Sequence, residues 1–491
     1  MALLVVILAL IALGELLDLL GRPKSAYGHR HHNFKRRSSF QADVLKPKIK
    51  PKPPHRSVDI DSFSLSQEQV KLLDWLENAS ESVFITGKAG TGKSLVLQYF
   101  QSKTAKNIVV VAPTGVAALN IGGQTIHSLF KLPPTLIEQA DIKLDPKTKT
   151  VLAHVDAVVI DEVSMVRVDQ VEAINYKLKL AKNNNLPFGG CQIIMFGDPY
   201  QLPPVISDPA LTKYFNQKYG GPFFFNAPVW QSTKLNILEL QTIFRQQDKA
   251  FKDILNQIRV GAITPAALEQ LNERLSLTLP RQGAVTLTSH NASVSAINEQ
   301  RLSELPGKTR EYDAQISGQL TAKAFPTEQK LRLKVGAQVI LLKNDRHKGF
   351  VNGSLGKIKA LGSNQIKVEI DTKLYVIEPE TWTKFGYYYD SNARRISKKI
   401  IGSFTQFPIR LAWAMTIHKA QGQTHKTVIV DLGRGAFAHG QAYVALSRCV
   451  ALDGLYLKSP IIKEDLIVDP AITNFMKPQT SRQLVHTKSH V

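Results

Sequence analysis

The chain has 491 residues, 43% of them hydrophobic, and a formal net charge of +22. That length suits about three domains, and the apolar content is ample for packed cores. Cys191 and Cys449 are the only cysteines, without metal-ligand spacing or partners nearby, which excludes a disulfide framework or a zinc site and fits a reducing compartment.

Residues 2–20 are almost wholly apolar and as a helix would span roughly 28 Å, close to a bilayer core. Glu15 and Asp18 oppose insertion, and no positive segment precedes Ala12-Leu13-Gly14 as a secretory signal requires. Three readings stay open: a membrane anchor, a peripheral helix and an over-extended gene start. Basic residues follow, which would keep the rest of the chain cytoplasmic, and any membrane contact is expected only through residues 2–20. Residues 22–58 read as an extended linker, because Lys-Pro-Lys-Ile-Lys-Pro-Lys-Pro-Pro at 46–54 cannot pack. His29, His31 and His32 read as part of a solvated basic tail rather than a metal site. With the −2 of residues 1–21 and the +10 of residues 22–56 set aside, residues 57–491 still carry +14. A basic folded body suggests a polyanionic partner, against the alternative of charge kept for solubility.

Val83-Phe84-Ile85, then Gly87-Lys88-Ala89-Gly90-Thr91-Gly92-Lys93-Ser94, then Leu95-Val96-Leu97-Gln98-Tyr99-Phe100 read as strand, glycine-rich loop and helix. This is a P-loop in its proper context. Gly87, Gly90, Thr91 and Gly92 let backbone N–H groups curl around phosphate oxygens, and the helix start adds positive charge. Lys93 can reach the β- and γ-phosphates of ATP, and the Ser94 hydroxyl can hold Mg²⁺. Further strand signals follow at 108–111, 157–160, 192–196 and 427–430. Apolar strands between helices imply a parallel sheet covered on both faces, with ligands beyond the carboxyl ends of its strands. Pro113, Thr114 and Gly115 end the second strand and lead to His127 and Ser128. Small polar residues there suit a nucleic-acid backbone, with a capped helix start as the competing reading. Asp161-Glu162 forms a Walker B pair, Asp161 for Mg²⁺ and Glu162 as catalytic base. Gln201, in Gly197-Asp198-Pro199-Tyr200-Gln201-Leu202-Pro203-Pro204, can sense the γ-phosphate.

Those stretches, with Leu411–Thr424 (Leu-Ala-Trp-Ala-Met-Thr-Ile-His-Lys-Ala-Gln-Gly-Gln-Thr) and Tyr443–Arg448 (Tyr-Val-Ala-Leu-Ser-Arg), resemble superfamily-one DNA helicases of the petite-integration-frequency (PIF) family, related to RecD-like helicases. The resemblance covers about residues 63–460. It implies an α/β fold of two tandem RecA-like P-loop domains with a small all-β barrel inserted in the second. The expected layout is an apolar leader (1–21), a linker (22–58) and a first RecA-like domain (59–230) with a wedge-like insertion at 131–150. The second domain follows in two parts (231–334 and 405–470) around the barrel (335–404), and a basic tail ends the chain (471–491). The resemblance also implies ATP- and Mg²⁺-dependent movement on single-stranded DNA, 5′→3′, with unwinding of forked duplex in repair, recombination, replication or telomere maintenance. A cytoplasmic, DNA-associated monomer is expected.

Carried over residue by residue, Gln69 resembles the adenine-reading glutamine, with Gln67 as a competitor. Gln421 and Gly422 fall on the nucleotide side of the cleft. Arg245 and Arg448 resemble arginine fingers, which stabilise charge spreading on the γ-phosphate. Thr416, His418 and Lys419 would face the DNA, with a satisfied core histidine as the alternative for His418. Tyr387, Tyr388 and Tyr389 with Arg394, Arg395, Lys398 and Lys399 read either as a DNA-stacking surface or as a solvated basic loop. Two rival functions remain: a translocase that does not separate strands, and a DNA-binding protein with a degenerate P-loop.

Overall fold

Six strands whose apolar runs alternate between two packed faces build the first lobe. They are β1 (Val83–Gly87), β2 (Ile108–Ala112), β3 (Gln124–Thr125), β4 (Ala157–Ile160), β5 (Gln192–Phe196) and β6 (Asn236–Leu240), in the order β3-β2-β4-β5-β1-β6. Every pairing is parallel, with Val83 opposite Ile194 and Val109 opposite Val158. One face sends Phe84, Val109, Val111, Val158, Ile160, Ile193 and Met195 into a core with the helix Val168–Lys182. The other sends Val83, Ile85, Val110, Val159, Ile194 and Phe196 against the helices Gln67–Asn78 and Lys93–Lys103. Burial on both faces is why these strands read as unbroken hydrophobic runs. The computed structural model describes residues 65–139, 142–206, 208–246, 248–343, 350 and 352–477, the side chain of Lys323 excepted. The apolar leader, the linker with its histidines and residues 478–491 lie outside the described residues. Among the described residues no helix is long and apolar enough to cross a membrane.

The second lobe has its own parallel sheet. β7 (Val285–Thr288) lies inside it, with the later strand Ala414–Thr416 on one side and the strands Val428–Asp431 and then Leu455–Leu457 on the other. Between them the chain forms β8 (Arg310–Asp313), β9 (Gln315–Gly318), β10 (Lys330–Leu333), β11 (Gln338–Leu341), β12 (Leu355–Leu361), β13 (Ile366–Ile370), β14 (Lys373–Ile377), β15 (Glu380–Asp390), β16 (Arg395–Gln406) and β17 (Ile409–Leu411). It then returns as β18 (Ala414–Thr416), β19 (Val428–Asp431) and β20 (Leu455–Leu457). The two parallel sheets fit tandem RecA-like domains.

Three expected boundaries are corrected. Residues 236–240 belong to the first sheet, where β6 pairs with β1 from Val83↔Asn236 to Gly87↔Leu240, so the first lobe runs past residue 230. The expected insertion at 335–404 is two bodies. β11–β14 with β17 form a five-stranded antiparallel sheet in the order β14-β13-β12-β11-β17 around its own core. β15 and β16 leave it as a long ribbon paired to β9. The expected tail from 471 begins as a helix, Pro470–Met476, that packs Ile472 and Met476 into the first lobe and stacks Phe475 on Phe225 at 4.2 Å. The strand signal at 427–430 is β19 of the second sheet, not a further strand of the first.

Candidate nucleotide cleft and nucleic-acid interface

The carboxyl ends of β1, β4, β5 and β6 converge on one cleft. After β1 the loop turns through Gly90 (φ +87°) and Gly92 (φ +83°), a region that favours glycine. A Cβ on Gly90 would lie 2.4 Å from Cβ of Arg245, so the close approach also requires glycine. Gly92 caps the helix Lys93–Lys103 without a side-chain bond, which leaves the amides of Lys93 and Ser94, at the start of an eleven-residue helix, for an anion. Lys93 Nζ donates to the carbonyls of Gly87 (2.6 Å) and Lys88 (3.1 Å), and burial lowers its pKa to about 8. Thr91 is buried, with its hydroxyl donating to Lys88 O at 3.0 Å. Ser94 is exposed at the second helical position. Gln69 is drawn to the loop by a capping box: its Oε1 accepts from Ser66 N at 3.0 Å and its Nε2 donates to Thr91 O at 3.5 Å. Gln67 is exposed on the same helix, so the structure separates the two candidates and brings only Gln69 to the loop.

Asp161 and Glu162 follow β4. Glu162 holds φ +50°, an unusual conformation for a side-chain-bearing residue and one that clusters at functional sites. Asp161 accepts from Glu162 N at 2.9 Å. Burial, with Glu162 beside it, raises the Asp161 pKa to about 7. Burial also raises Glu162, against the opposing pull of Lys93 and Arg448. A Mg²⁺ ion needs one or two protein oxygens, with phosphate and water supplying the rest. A buried carboxylate whose charge is disfavoured and an exposed helix-start hydroxyl are donors of that kind. No larger His/Cys/Asp/Glu cluster able to hold a metal occurs among the described residues.

The second lobe closes the cleft. Gln421 Nε2 donates to Glu162 Oε2 at 3.0 Å and to Gln201 Oε1 at 3.2 Å, joining three expected residues from two lobes. Gly422 follows it and accepts from Arg245 Nη2 at 3.5 Å, while Arg245 Nη1 donates to Ser447 O at 3.4 Å. Arg448 is 1% exposed and donates to the neutral oxygens of Val444, Gln423 and Ser447. Among the described residues no carboxylate pairs with it, and burial together with Arg245 pushes its pKa down to about 9.

Four cleft residues escaped the sequence reading. Arg259 of the helix Lys249–Arg259 forms a buried ion pair with Asp198 at 3.0 Å and lies 4.4 Å from the Tyr200 ring. Tyr443 Oη accepts from Ala89 N of the phosphate loop at 3.1 Å. Phe244 is 54% exposed beside Gly92, with its amide bonded to Gly90 O at 2.9 Å. Gly440 abuts the Tyr200 and Gln201 carbonyls so closely that a Cβ would lie 2.4 Å from one. An exposed aromatic one residue before Arg245 was the one signal in the sequence; the other three depend on pairings across lobes.

The expected DNA contacts divide between the lobes: Pro113, Thr114, Gly115, His127 and Ser128 follow the paired strands β2 and β3 of the first, and Thr416, His418 and Lys419 lie at the end of β18 in the second. Thr114 caps its own short helix through Ala117 N at 3.3 Å, and Gly115 faces Ala324 so tightly that a Cβ would lie 2.7 Å from its Cβ. Pro113 precedes that cap. His127 lies 3.3 Å from Gln170, its pKa lowered by burial and then Arg167. The Ser128 amide is held by Thr125 Oγ1 at 3.1 Å. Thr416 is a correction: it is buried, and its hydroxyl accepts from Lys419 N at 3.3 Å instead of facing a track. His418 is half-buried, without a side-chain hydrogen bond among the described residues, so it is not a satisfied core histidine. Lys419 is exposed.

Tyr387, Tyr389 and Lys398 of the β15–β16 cluster depart from both expectations. Tyr387 is buried, and its hydroxyl accepts from Val110 N (2.9 Å) and donates to Val110 O (3.2 Å). Two-residue β3 pairs only with Val111 and Ala112, so this hydroxyl supplies Val110 with the ladder partners β3 leaves out. Tyr389 stacks on His154 at 3.5 Å, and Lys398 Nζ donates to Gly122 O at 2.7 Å. Arg394, Arg395 and Lys399 are exposed on the ribbon.

Residues 64–268 match the model of PIF1-like helicases, and residues 318–361 match the 2B domain of the DNA helicase Pif1. The human ATP-dependent DNA helicase PIF1 is 35% identical over 407 residues, 80% of this chain and 60% of the relative. The chain thus spans about 60% of that relative's length. Pif1 of Bdellovibrio bacteriovorus is 32% identical, covering 85% of this chain and 93% of its own. Pif1 from Bacteroides in complex with ADP-AlF4 is 37% identical with a TM-score of 0.80, over 86% of this chain and all of that one. The same protein bound to ssDNA superposes less well, with a TM-score of 0.62 at 38% identity and the same coverage. Another solved structure, 38% identical with a TM-score of 0.62, concerns DNA unwinding at forked dsDNA by two coordinating Pif1 helicases.

Proposed function

The chain belongs to the PIF1-like helicase family, and on that premise we propose that it is an ATP-dependent DNA helicase that moves 5′→3′ on single-stranded DNA and opens forked duplex. One observation carries the reading. Gln421 of the second lobe bonds both Glu162 and Gln201 of the first, between Arg245 and Arg448 and the phosphate loop. A cleft so joined responds to the nucleotide by moving its lobes, which is what a motor requires.

Backbone amides from Gly90 to Ser94, with Lys93, bind the phosphates. Gln69 offers its amide to adenine, and Phe244 offers an exposed ring to stack on it. Ser94 and Asp161 would hold Mg²⁺, which neutralises charge on the β- and γ-phosphate oxygens. Glu162 takes the proton of the attacking water at Oε1 or Oε2, and Gln201 and Gln421 orient that carboxylate. Arg245 and Arg448 stabilise charge spreading on the transferred phosphoryl, an effect worth about 10³–10⁵ in rate. Arg448, buried without an anionic partner among the described residues, is suited to that part: a phosphate supplies the opposite charge.

We read the five-stranded antiparallel module as the small barrel of the second domain, and the first lobe as residues 65–240 with the helix Pro470–Met476. The lower superposition of the ssDNA-bound relative supports a change of arrangement on DNA. Because that family also includes two coordinating helicases at one fork, the expected monomer is not carried forward. The test is unwinding of forks tailed at either the 5′ or the 3′ end, with ATP turnover measured alongside. Strand release from the 5′-tailed fork alone, abolished by Glu162→Gln, is expected. Turnover without strand release would leave a translocase, and DNA retention without phosphate release would leave a simple DNA-binding protein.

A further inference from the structure

Two arginines of the second lobe reach the cleft, and a third group of that lobe touches the phosphate loop itself. Tyr443 lies in the helix Gln441–Leu446, 4% exposed, with its ring packed in the core that also takes in Ala89 and Leu202 of the first lobe. Its oxygen accepts from Ala89 N at 3.1 Å. A phenol also has a proton to donate, and among the described residues that proton has no acceptor within hydrogen-bond distance. The hydroxyl is an electrostatic neighbour of both Arg245 and Arg448. Burial holds its pKa up at about 12, so it is a neutral donor at any working pH.

We infer that Tyr443 is a ligand of the terminal phosphate: held by the Ala89 amide, its hydroxyl donates to a γ-phosphate oxygen of ATP seated in the loop. This rests on the reading that the cleft binds ATP. Three cations already converge there, Lys93, Arg245 and Arg448, and each is depressed by burial, Lys93 and Arg448 also by like charge nearby. A fourth cation would add repulsion; a neutral O–H adds a hydrogen bond to a charged acceptor without it. Because ADP lacks the third phosphate, the contact distinguishes ATP from ADP and reports the difference to the helix Gln441–Leu446, which ends two residues before Arg448.

Tyr443→Phe keeps the ring and removes the hydroxyl. The affinities of wild type and variant for ADP and for a non-hydrolysable ATP analogue are measured with Mg²⁺ present, alongside ATP turnover. The expected result is a loss of about 10-fold in analogue affinity and a comparable loss in turnover, with ADP affinity changed by less than about 2-fold. Equal losses for both nucleotides would reduce Tyr443 to a support of the loop, and no loss for either would remove it from the site; both outcomes overturn the proposal. Wild type that neither binds nor hydrolyses ATP would overturn the parent reading as well, whereas active wild type with an unaffected variant sinks only this one. If the variant fails to fold, wild type crystallised with ADP and aluminium fluoride decides. Oη within about 3.2 Å of the phosphoryl mimic supports the contact, and separation beyond about 4 Å refutes it.

Discussion

Asp161 shows how the cleft holds charges that its own fold disfavours. Its carboxyl is buried beside Glu162, and its pKa rises from 3.8 to about 7. Between those values the native state holds a proton that the unfolded chain has released. Stability without nucleotide or Mg²⁺ therefore falls as pH rises through that window. Asn resembles the protonated acid and keeps the oxygen that accepts from Glu162 N. Asp161→Asn is thus expected to stabilise the ligand-free protein by about 1–2 kcal/mol at pH 8 and hardly at all at pH 5, while lowering ATP turnover by about 10²–10³. Urea melts at the two pH values check the sign. A variant less stable than wild type at pH 8 would mean that the carboxylate is already compensated within the protein.

At the level of elements, legibility followed burial. β1, β2, β4 and β5 are covered on both faces, so their apolar runs mark them without ambiguity. β6 alternates Asn236, Ile237, Leu238, Glu239 and Leu240 at a sheet edge, and nothing local says which lobe it joins. The helix Pro470–Met476 carries only a few apolar residues, and its partners Phe84 and Phe225 lie more than two hundred positions away. The ribbon misled for the opposite reason: a run of tyrosines on one strand and basic residues on its partner look alike whether they meet bases or another lobe. Tyr387 separates these outcomes. Tyr387→Phe leaves the buried amide and carbonyl of Val110 without their partner on that side, at an expected cost of about 1–3 kcal/mol. Tyr388→Phe, on a residue 39% exposed, should stay within about 0.5 kcal/mol. Comparable effects of the two substitutions in urea unfolding would remove Tyr387 from its place as the missing ladder partner.

Across the whole molecule, the chemistry depends on two lobes meeting at fixed points, and one of these is a buried ion pair. Asp198 follows β5 of the first lobe, and Arg259 ends a helix in the core of the second. Burial alone would raise the Asp198 pKa, but Arg259, Lys93 and hydrogen bonds outweigh it and hold the carboxyl below its ordinary value. Arg259 is likewise raised by Asp198 against its own burial. The same carboxylate accepts from Tyr200 N at 3.2 Å and Gln201 Nε2 at 3.5 Å, so the pair also steadies the residue that Gln421 bonds from across the cleft. No local pattern announces a partnership between residues 61 positions apart on different lobes, which is why motif spacing identified Gln201 and left its anchor unseen. Removing one partner strands the other in a dry interface. Arg259→Met is therefore expected to destabilise by about 3–5 kcal/mol, and Asp198→Asn combined with it should recover part of that loss. A double-mutant cycle in urea should give a coupling of at least about 2 kcal/mol. A coupling below about 0.5 kcal/mol would mean that this ion pair does not hold the lobes together, and that Gln201 owes its position to Gln421 and Gly440 rather than to the pair.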